Sequence, residues 1–111
     1  MLTPADIYAD IESYPPLMQD EIKEKYVGQE VEWLVSFFSG SIHGGKARLM
    51  FHHASRRIGG VTGVVALAEY PWLKSLRVDE PTRVKGRIRQ IDAMAIELDI
   101  LGLSIPEPAS V

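Results

Sequence analysis

Residues 82–90, Thr-Arg-Val-Lys-Gly-Arg-Ile-Arg-Gln, alternate strictly between cations and small or apolar side chains. A period of two belongs to a β-strand, so Val84, Gly86 and Ile88 share one face while Arg83, Lys85, Arg87 and Arg89 share the other. A second alternation follows almost at once, with Met94, Ile96, Leu98 and Ile100 on one side. The few residues around Asp92 suit a hairpin turn between them. A hairpin with one apolar face is marginal alone and must cover a core built by the rest of the chain.

The rest of the chain supplies further strands. Residues 31–38 place Val31, Trp33, Val35 and Phe37 on one face. Residues 64–70 are apolar and β-branched and read as a buried strand. Residues 46–53 are open to two readings. As a strand, Ala47, Leu49 and Phe51 point inward. As a helix, Ala47, Met50, Phe51, Ala54 and Ile58 form a stripe closed by Gly59. The segment from Gly40 to Gly45 reads as a loop, and Gly59, Gly60 and Gly63 punctuate the next one. Pro71 opens a short helical turn through Leu76 before the alternating hairpin.

Two short helices precede the strands. Thr3 suits an N-cap, Pro4 the first helical position and Asp6 the positive end of the dipole. Leu2 and Ile7 are spaced for a hydrophobic staple, and Ile7 and Ile11 make a buried stripe. Pro15-Pro16 ends this helix. A second helix over residues 17–26 carries Met18, Ile22 and Tyr26 on one face and stops at Gly28. Neither is long enough to be stable without docking. The 111 residues make one domain: residues 1–28 helical, 29–105 a barrel, and 106–111, rich in proline, a flexible tail.

Two stretches carry a resemblance. Tyr26-Val27-Gly28-Gln29-Glu30-Val31-Glu32-Trp33 enters the first strand. Tyr70-Pro71-Trp72-Leu73-Lys74-Ser75-Leu76 leads into Thr82-Arg83-Val84-Lys85-Gly86-Arg87-Ile88. The chain resembles OB-fold domains over residues 26–105, and is similar to small bacterial OB-like domains with no assigned activity. The resemblance implies a mainly β fold: a five-stranded barrel with two N-terminal helices and a short helix between strands three and four. It turns residues 46–53 toward the strand reading. It also implies binding through strands two and three and the first and last loops.

Charge is segregated along the chain. Residues 1–32 hold eight acids and two lysines; residues 33–90 hold ten bases and three acids; residues 91–111 hold four acids and no base. The basic middle either meets an anionic partner or is covered by the acidic ends. The four cations of residues 82–90 could follow a phosphate backbone. A hairpin centred near Asp92 would instead set Arg89 opposite Ala95, Arg87 opposite Glu97 and Lys85 opposite Asp99, making ordinary cross-strand pairs.

Catalytic motifs fall away on inspection. Residues 40–47, Gly-Ser-Ile-His-Gly-Gly-Lys-Ala, follow the phosphate-loop pattern until Ala47 stands where a hydroxyl should bind magnesium. The pattern lives only if Lys46 opens a helix. His52 and His53 point to opposite faces of a strand, and with His43 they make no metal set. The chain has no cysteine, which excludes disulfides, zinc fingers and thiol catalysis. Glu97 and Asp99 share a solvated face. The first residues lack a basic region followed by an apolar run, so a cytoplasmic location is expected, with no membrane role. Phe38 and Trp72 are the rings best placed for exposure.

These readings converge on a non-enzymatic binding module with no cofactor and no metal. Its ligand would be single-stranded nucleic acid or a nucleotide-like anion, held by Lys46, Arg48, His52, Arg56, Arg57, Arg87 and Arg89. The alternative is a protein-interaction or assembly domain using a strand edge or the N-terminal helices, with a homo-oligomer among its forms.

Overall fold

The computed structural model describes residues 2–106, except for the side chains of Arg57 and Ile58. The tail expectation for residues 107–111 therefore lies outside the described residues. Helix α1 runs Pro4–Glu12 and α2 Pro16–Tyr26. The strands are β1 (Glu30–His43), β2 (Lys46–His53), β3 (Arg56–Ala66), β4 (Pro81–Ile91) and β5 (Ala95–Ser104). They close into a barrel in the order β1-β2-β3-β5-β4, antiparallel throughout except where β3 runs parallel to β5. No described helix is long and apolar enough to cross a membrane.

The helix ends follow from local chemistry. The Thr3 side chain accepts from the Asp6 backbone N–H at 3.2 Å, and the Asp6 carboxylate accepts from the Thr3 N–H at 2.9 Å, a reciprocal capping box. The Thr3 N–H, and next the Thr3 hydroxyl, stabilise the Asp6 carboxylate and hold its pKa below the ordinary value. Helix α1 ends at Glu12, ahead of Pro15-Pro16, and Gly28 leaves α2 at φ +91°, a conformation that favours glycine.

Helix α1 plugs one end of the barrel. Ile7 and Ile11 are buried, each contributing about 1.5–3 kcal/mol relative to exposure. Trp33, buried on β1, donates its indole N–H to the Leu2 carbonyl at 2.7 Å. The Tyr8 hydroxyl donates to the Asp92 carbonyl at 2.8 Å, and the Ala5 N–H donates to Ser55 Oγ at 3.3 Å. The helix thereby ties together the β2–β3 and β4–β5 connections. The barrel core comprises Trp33, Phe51, Val61, Val84, Ile88, Ile96 and their neighbours, and the inward positions expected on β1, β2 and β4 hold.

Four details depart from the sequence expectation. Strand β1 continues through His43, so only Gly44 and Gly45 of the expected Gly40–Gly45 loop lie outside a strand. The short helix between strands three and four is instead two 3₁₀ turns, Leu67–Glu69 and Pro71–Ser75. Segments of three and five residues are too short to repay α-helical nucleation. Strand β3 begins at Arg56, eight residues ahead of the expected start, so its glycines lie within the strand rather than in a loop. They are required there by close approach: a Cβ on Gly63 would stand 2.3 Å from Ile100 Cδ1. Bare backbone lets β3 press against β5 and close the barrel. Finally, Met94 is exposed in the β4–β5 turn rather than inward. Asp92 Oδ1 accepts from the N–H groups of both Met94 and Ala95 at 2.8 Å, which fixes that turn before β5 begins.

Candidate functional site

Strand β2 is a strand over Lys46–His53, and Gly44 and Gly45 form the two-residue turn before it at φ +56° and +79°. Lys46 therefore opens a strand, and the phosphate-loop reading of residues 40–47 ends there. The alternation of β2 puts Ala47, Leu49 and Phe51 into the core and Lys46, Arg48, Met50 and His52 on the outer face. Across the ladders, Ser41 and Ser39 of β1 stand opposite Arg48 and Met50, while Val64 and Thr62 of β3 stand opposite the same pair. Ser39, Ser41, Arg48, Met50 and Thr62 line a shallow groove of about 210 Å³.

A β-bulge supplies the ring. Phe37 pairs with Phe51 and Ser39 with Met50, which leaves Phe38 as the extra residue. Bulges re-aim side chains, and Phe38, 45% exposed, meets the His52 ring edge-on at a centroid distance of 4.4 Å. His52 Nδ1 lies 2.9 Å from the Gly59 carbonyl oxygen. A carbonyl only accepts, so Nδ1 carries the proton, and in the neutral ring Nε2 keeps its lone pair. The outer face of β1–β2–β3 thus combines two exposed cations, an imidazole of defined orientation, an exposed aromatic ring and two serine hydroxyls.

The cations of β4 are placed differently. Arg83 pairs with Glu32 at 3.9 Å, Lys85 with Glu30 at 3.3 Å and Arg89 with Asp99 at 3.9 Å. The expected pairing of this stripe with acids is present, but two of its three partners come from β1. The expected register also shifts. Irregularities at Lys85/Gly86 and Ile88/Gln90 set Arg87 opposite Asp99, Lys85 opposite Gly102 and Gln90 opposite Glu97. Each such half-exposed pair contributes about 0–1 kcal/mol; their greater effect is to neutralise the stripe. Among the described residues Lys46, Arg48 and Arg87 form no ion pair.

The seven residues singled out from sequence therefore separate. Lys46, Arg48 and His52 share the outer face of β2. Arg87 and Arg89 lie on β4. The Arg57 side chain is outside the described residues. Arg56 lies under α1, its guanidinium carbon 3.4 Å from the Tyr8 ring centroid, with Nη1 buried and without a hydrogen-bond partner. Burial there pushes the Tyr8 hydroxyl pKa up. His53 faces Trp33 at 6.1 Å, and its Nδ1 accepts from the Ser55 N–H at 3.0 Å. Burial pushes its pKa down. The described residues contain no group of three or more His, Cys, Asp or Glu that could hold a metal.

Sequence reasoning missed the grouping of Phe38 with His52 and the contribution of Ser39 and Ser41. The adjacent rings Phe37-Phe38 were the available signal, because a strand can bury only one of two consecutive side chains.

The closed barrel, ordered β1-β2-β3-β5-β4 with β3 parallel to β5, superposes on solved structures. The chain has the OB fold. An OBody, AM1L10, bound to hen egg-white lysozyme superposes with a TM-score of 0.59 at 14% identity, over 77% of this chain and 85% of that one. OBody AM3L15, also bound to lysozyme, matches at 0.59 and 13%, over 82% and 92%. Asparaginyl-tRNA synthetase from Pyrococcus horikoshii, complexed with asparaginyl-adenylate, matches at 0.60 and 19% over 82% of this chain. The matched OB region is 22% of that synthetase. No protein-family model and no curated protein matches the chain.

Proposed function

We propose that this OB domain is a non-enzymatic binding module whose β1–β2–β3 outer face takes single-stranded nucleic acid or a nucleotide-like anion. The observation that carries the reading is the sorting of charge. The β4 cations are largely matched by Glu30, Glu32 and Asp99, whereas Lys46 and Arg48 stand exposed on the same outer face of β2 as His52, whose ring meets Phe38. Exposed cations follow a phosphate backbone, and a ring offers a stacking surface worth about 1–3 kcal/mol per base. Ser39 and Ser41 add hydrogen-bonding groups along the groove beside Arg48, and the His52 imidazole adds one further along the same face. Similarity in fold to part of a tRNA synthetase supports the reading by analogy.

The test is fluorescence anisotropy of a labelled oligothymidylate titrated with the protein across a salt series. Two phosphate contacts predict a slope of log K against log salt of about −1.4, and Arg48→Ala should bring it to about −0.7. Phe38→Ala should weaken binding while leaving the slope unchanged. Absence of binding at low salt overturns the proposal.

A second reading rests on the same face. Val64, opposite Arg48, and Phe38, against His52, are exposed apolar groups on the face that carries Arg48, the mixture that protein interfaces use, and the two OBody structures bind a protein through this fold. Retention of a protein partner by Arg48→Ala but not by Phe38→Ala or Val64→Ser would favour it.

A further inference from the structure

The barrel leaves one stretch of strand backbone open. β1 pairs with β4 only as far as Ser36 opposite Pro81. Phe37 is then held by the turn that precedes β4, donating to the Glu80 carbonyl at 3.0 Å and accepting from the Asp79 N–H at 2.8 Å. From residue 39 to residue 43, β1 has β2 on one side and, among the described residues, no strand on the other.

The hairpin turn dictates which groups face that open side. His43 and Lys46 flank the two-residue turn at Gly44 and Gly45, and in such a turn the flanking pair exchanges hydrogen bonds. Pairing alternates from there. His43, Ser41 and Ser39 direct their N–H and C=O groups to β2, while Ile42 and Gly40 direct theirs to the open edge. Among the described residues, no turn, loop or side-chain group completes hydrogen bonds with Ile42 or Gly40. Ile42 sits opposite the buried Ala47, on the inner side of the sheet, yet is 53% exposed. Beside it, Phe37, Gly40, Leu49, Leu67, Leu73 and Lys74 line an open groove of about 190 Å³.

We propose that this edge pairs with the same edge of a second copy of the chain, antiparallel about a two-fold axis through Ser41. The register is self-complementary. It sets Gly40 of each copy opposite Ile42 of the other, the two residues whose backbone groups are free, so each pair exchanges both of its N–H···O bonds. Each Ile42 side chain then lies over the bare Gly40 of the other copy and enters its groove. Charge does not oppose the pairing, since Ser39, Gly40, Ser41, Ile42 and His43 include no acid, lysine, arginine or proline. Those are the residues with which exposed edges are ordinarily protected. The contact is short, so the dimer is weak and depends on concentration. It would join the two β3-β2-β1 sheets into one surface carrying Lys46 and Arg48 of both copies. The pairing stands on the edge geometry alone and does not need the proposed ligand.

Sedimentation equilibrium of the full chain over a hundredfold concentration range tests this. The expected result is a reversible monomer–dimer equilibrium. Ile42→Lys sets a cation against Lys74 of the other copy and weakens association on the order of tenfold or more. Ile42 is exposed in the monomer, and an unchanged melting curve verifies the fold. The chain has no cysteine, so Ser41→Cys creates a single thiol on the proposed axis. Facing residues of a non-hydrogen-bonded pair have Cα atoms about 4.5 Å apart, within disulfide reach. Mild oxidation should therefore give a covalent dimer of Ser41→Cys much faster than of Ser75→Cys, placed on the exposed 3₁₀ turn. A monomer at every concentration, a dimer indifferent to Ile42→Lys, or equal cross-linking of the two cysteine variants would each overturn the proposal.

Discussion

Gly59→Ala strikes the barrel closure at its tightest point. Gly59 has φ +85°, a conformation that costs a side-chain-bearing residue about 1–2 kcal/mol. A Cβ there would lie 1.9 Å from the Met94 carbonyl oxygen, so β3 and the β4–β5 turn must move apart. That movement breaks the 2.8 Å bond from the Gly60 N–H to the same oxygen, worth about 0.5–1.5 kcal/mol. The combined loss is about 2–3 kcal/mol, a large share of the 5–15 kcal/mol typical of a domain. It lowers Tm by roughly 10 °C at about 4 °C per kcal/mol. Urea unfolding followed by tryptophan fluorescence measures it, since Trp33 is buried. The midpoint should fall with the m value unchanged. Gly102→Ala is the control, because its added Cβ meets nothing within 4 Å. The Gly59 carbonyl also holds His52 Nδ1, so the His52 ring resonances should shift in Gly59→Ala and not in Gly102→Ala. A Gly59→Ala midpoint within about 0.5 kcal/mol of the parent, the range of an ordinary surface change, would refute the idea that bare backbone closes this barrel.

His53 predicts a stability loss in acid. Its folded pKa lies below the ordinary 6.5 because of burial, so its contribution is complete above that value and is lost as pH falls through the folded pKa. Tm should therefore decline below pH about 6.5, and His53→Asn should flatten that part of the profile. Tyr26 predicts the converse in alkali. Its hydroxyl donates to Asp10 Oδ2 at 2.6 Å, which pushes its pKa up to about 12 from 10.0. Its contribution is complete below pH 10 and is lost as pH rises toward 12, and Tyr26→Phe should remove that component, read as a shallower fall of Tm over this window. Tyr8→Phe deletes the hydrogen bond to the Asp92 carbonyl and should cost about 1 kcal/mol in urea unfolding.

The parts of the fold legible in the sequence were those set by local pattern. The alternation of β1, β4 and β5, the capping of α1 at Thr3, the Pro15-Pro16 break and the Asp92 turn each depend on neighbouring residues. What depended on non-local contacts was not legible. The glycines at 59, 60 and 63 look like a loop until β5 and the Met94 carbonyl are brought against them. The partners of Arg83 and Lys85 lie fifty or so residues upstream on β1, and only barrel closure makes β1 and β4 neighbours. Lys46, Arg48 and His52 could be assigned to one face from strand periodicity. Arg56 could not be separated from them, because its position under Tyr8 depends on where α1 docks.

The most direct test of the proposed binding face is amide chemical-shift mapping during titration with an oligothymidylate. The account predicts the largest shifts at Phe38, Ser39, Ser41, Lys46, Arg48, Met50, His52 and Thr62, with Arg83, Lys85 and Arg89 little changed. Shifts centred on β4, or spread evenly over the barrel, would contradict it.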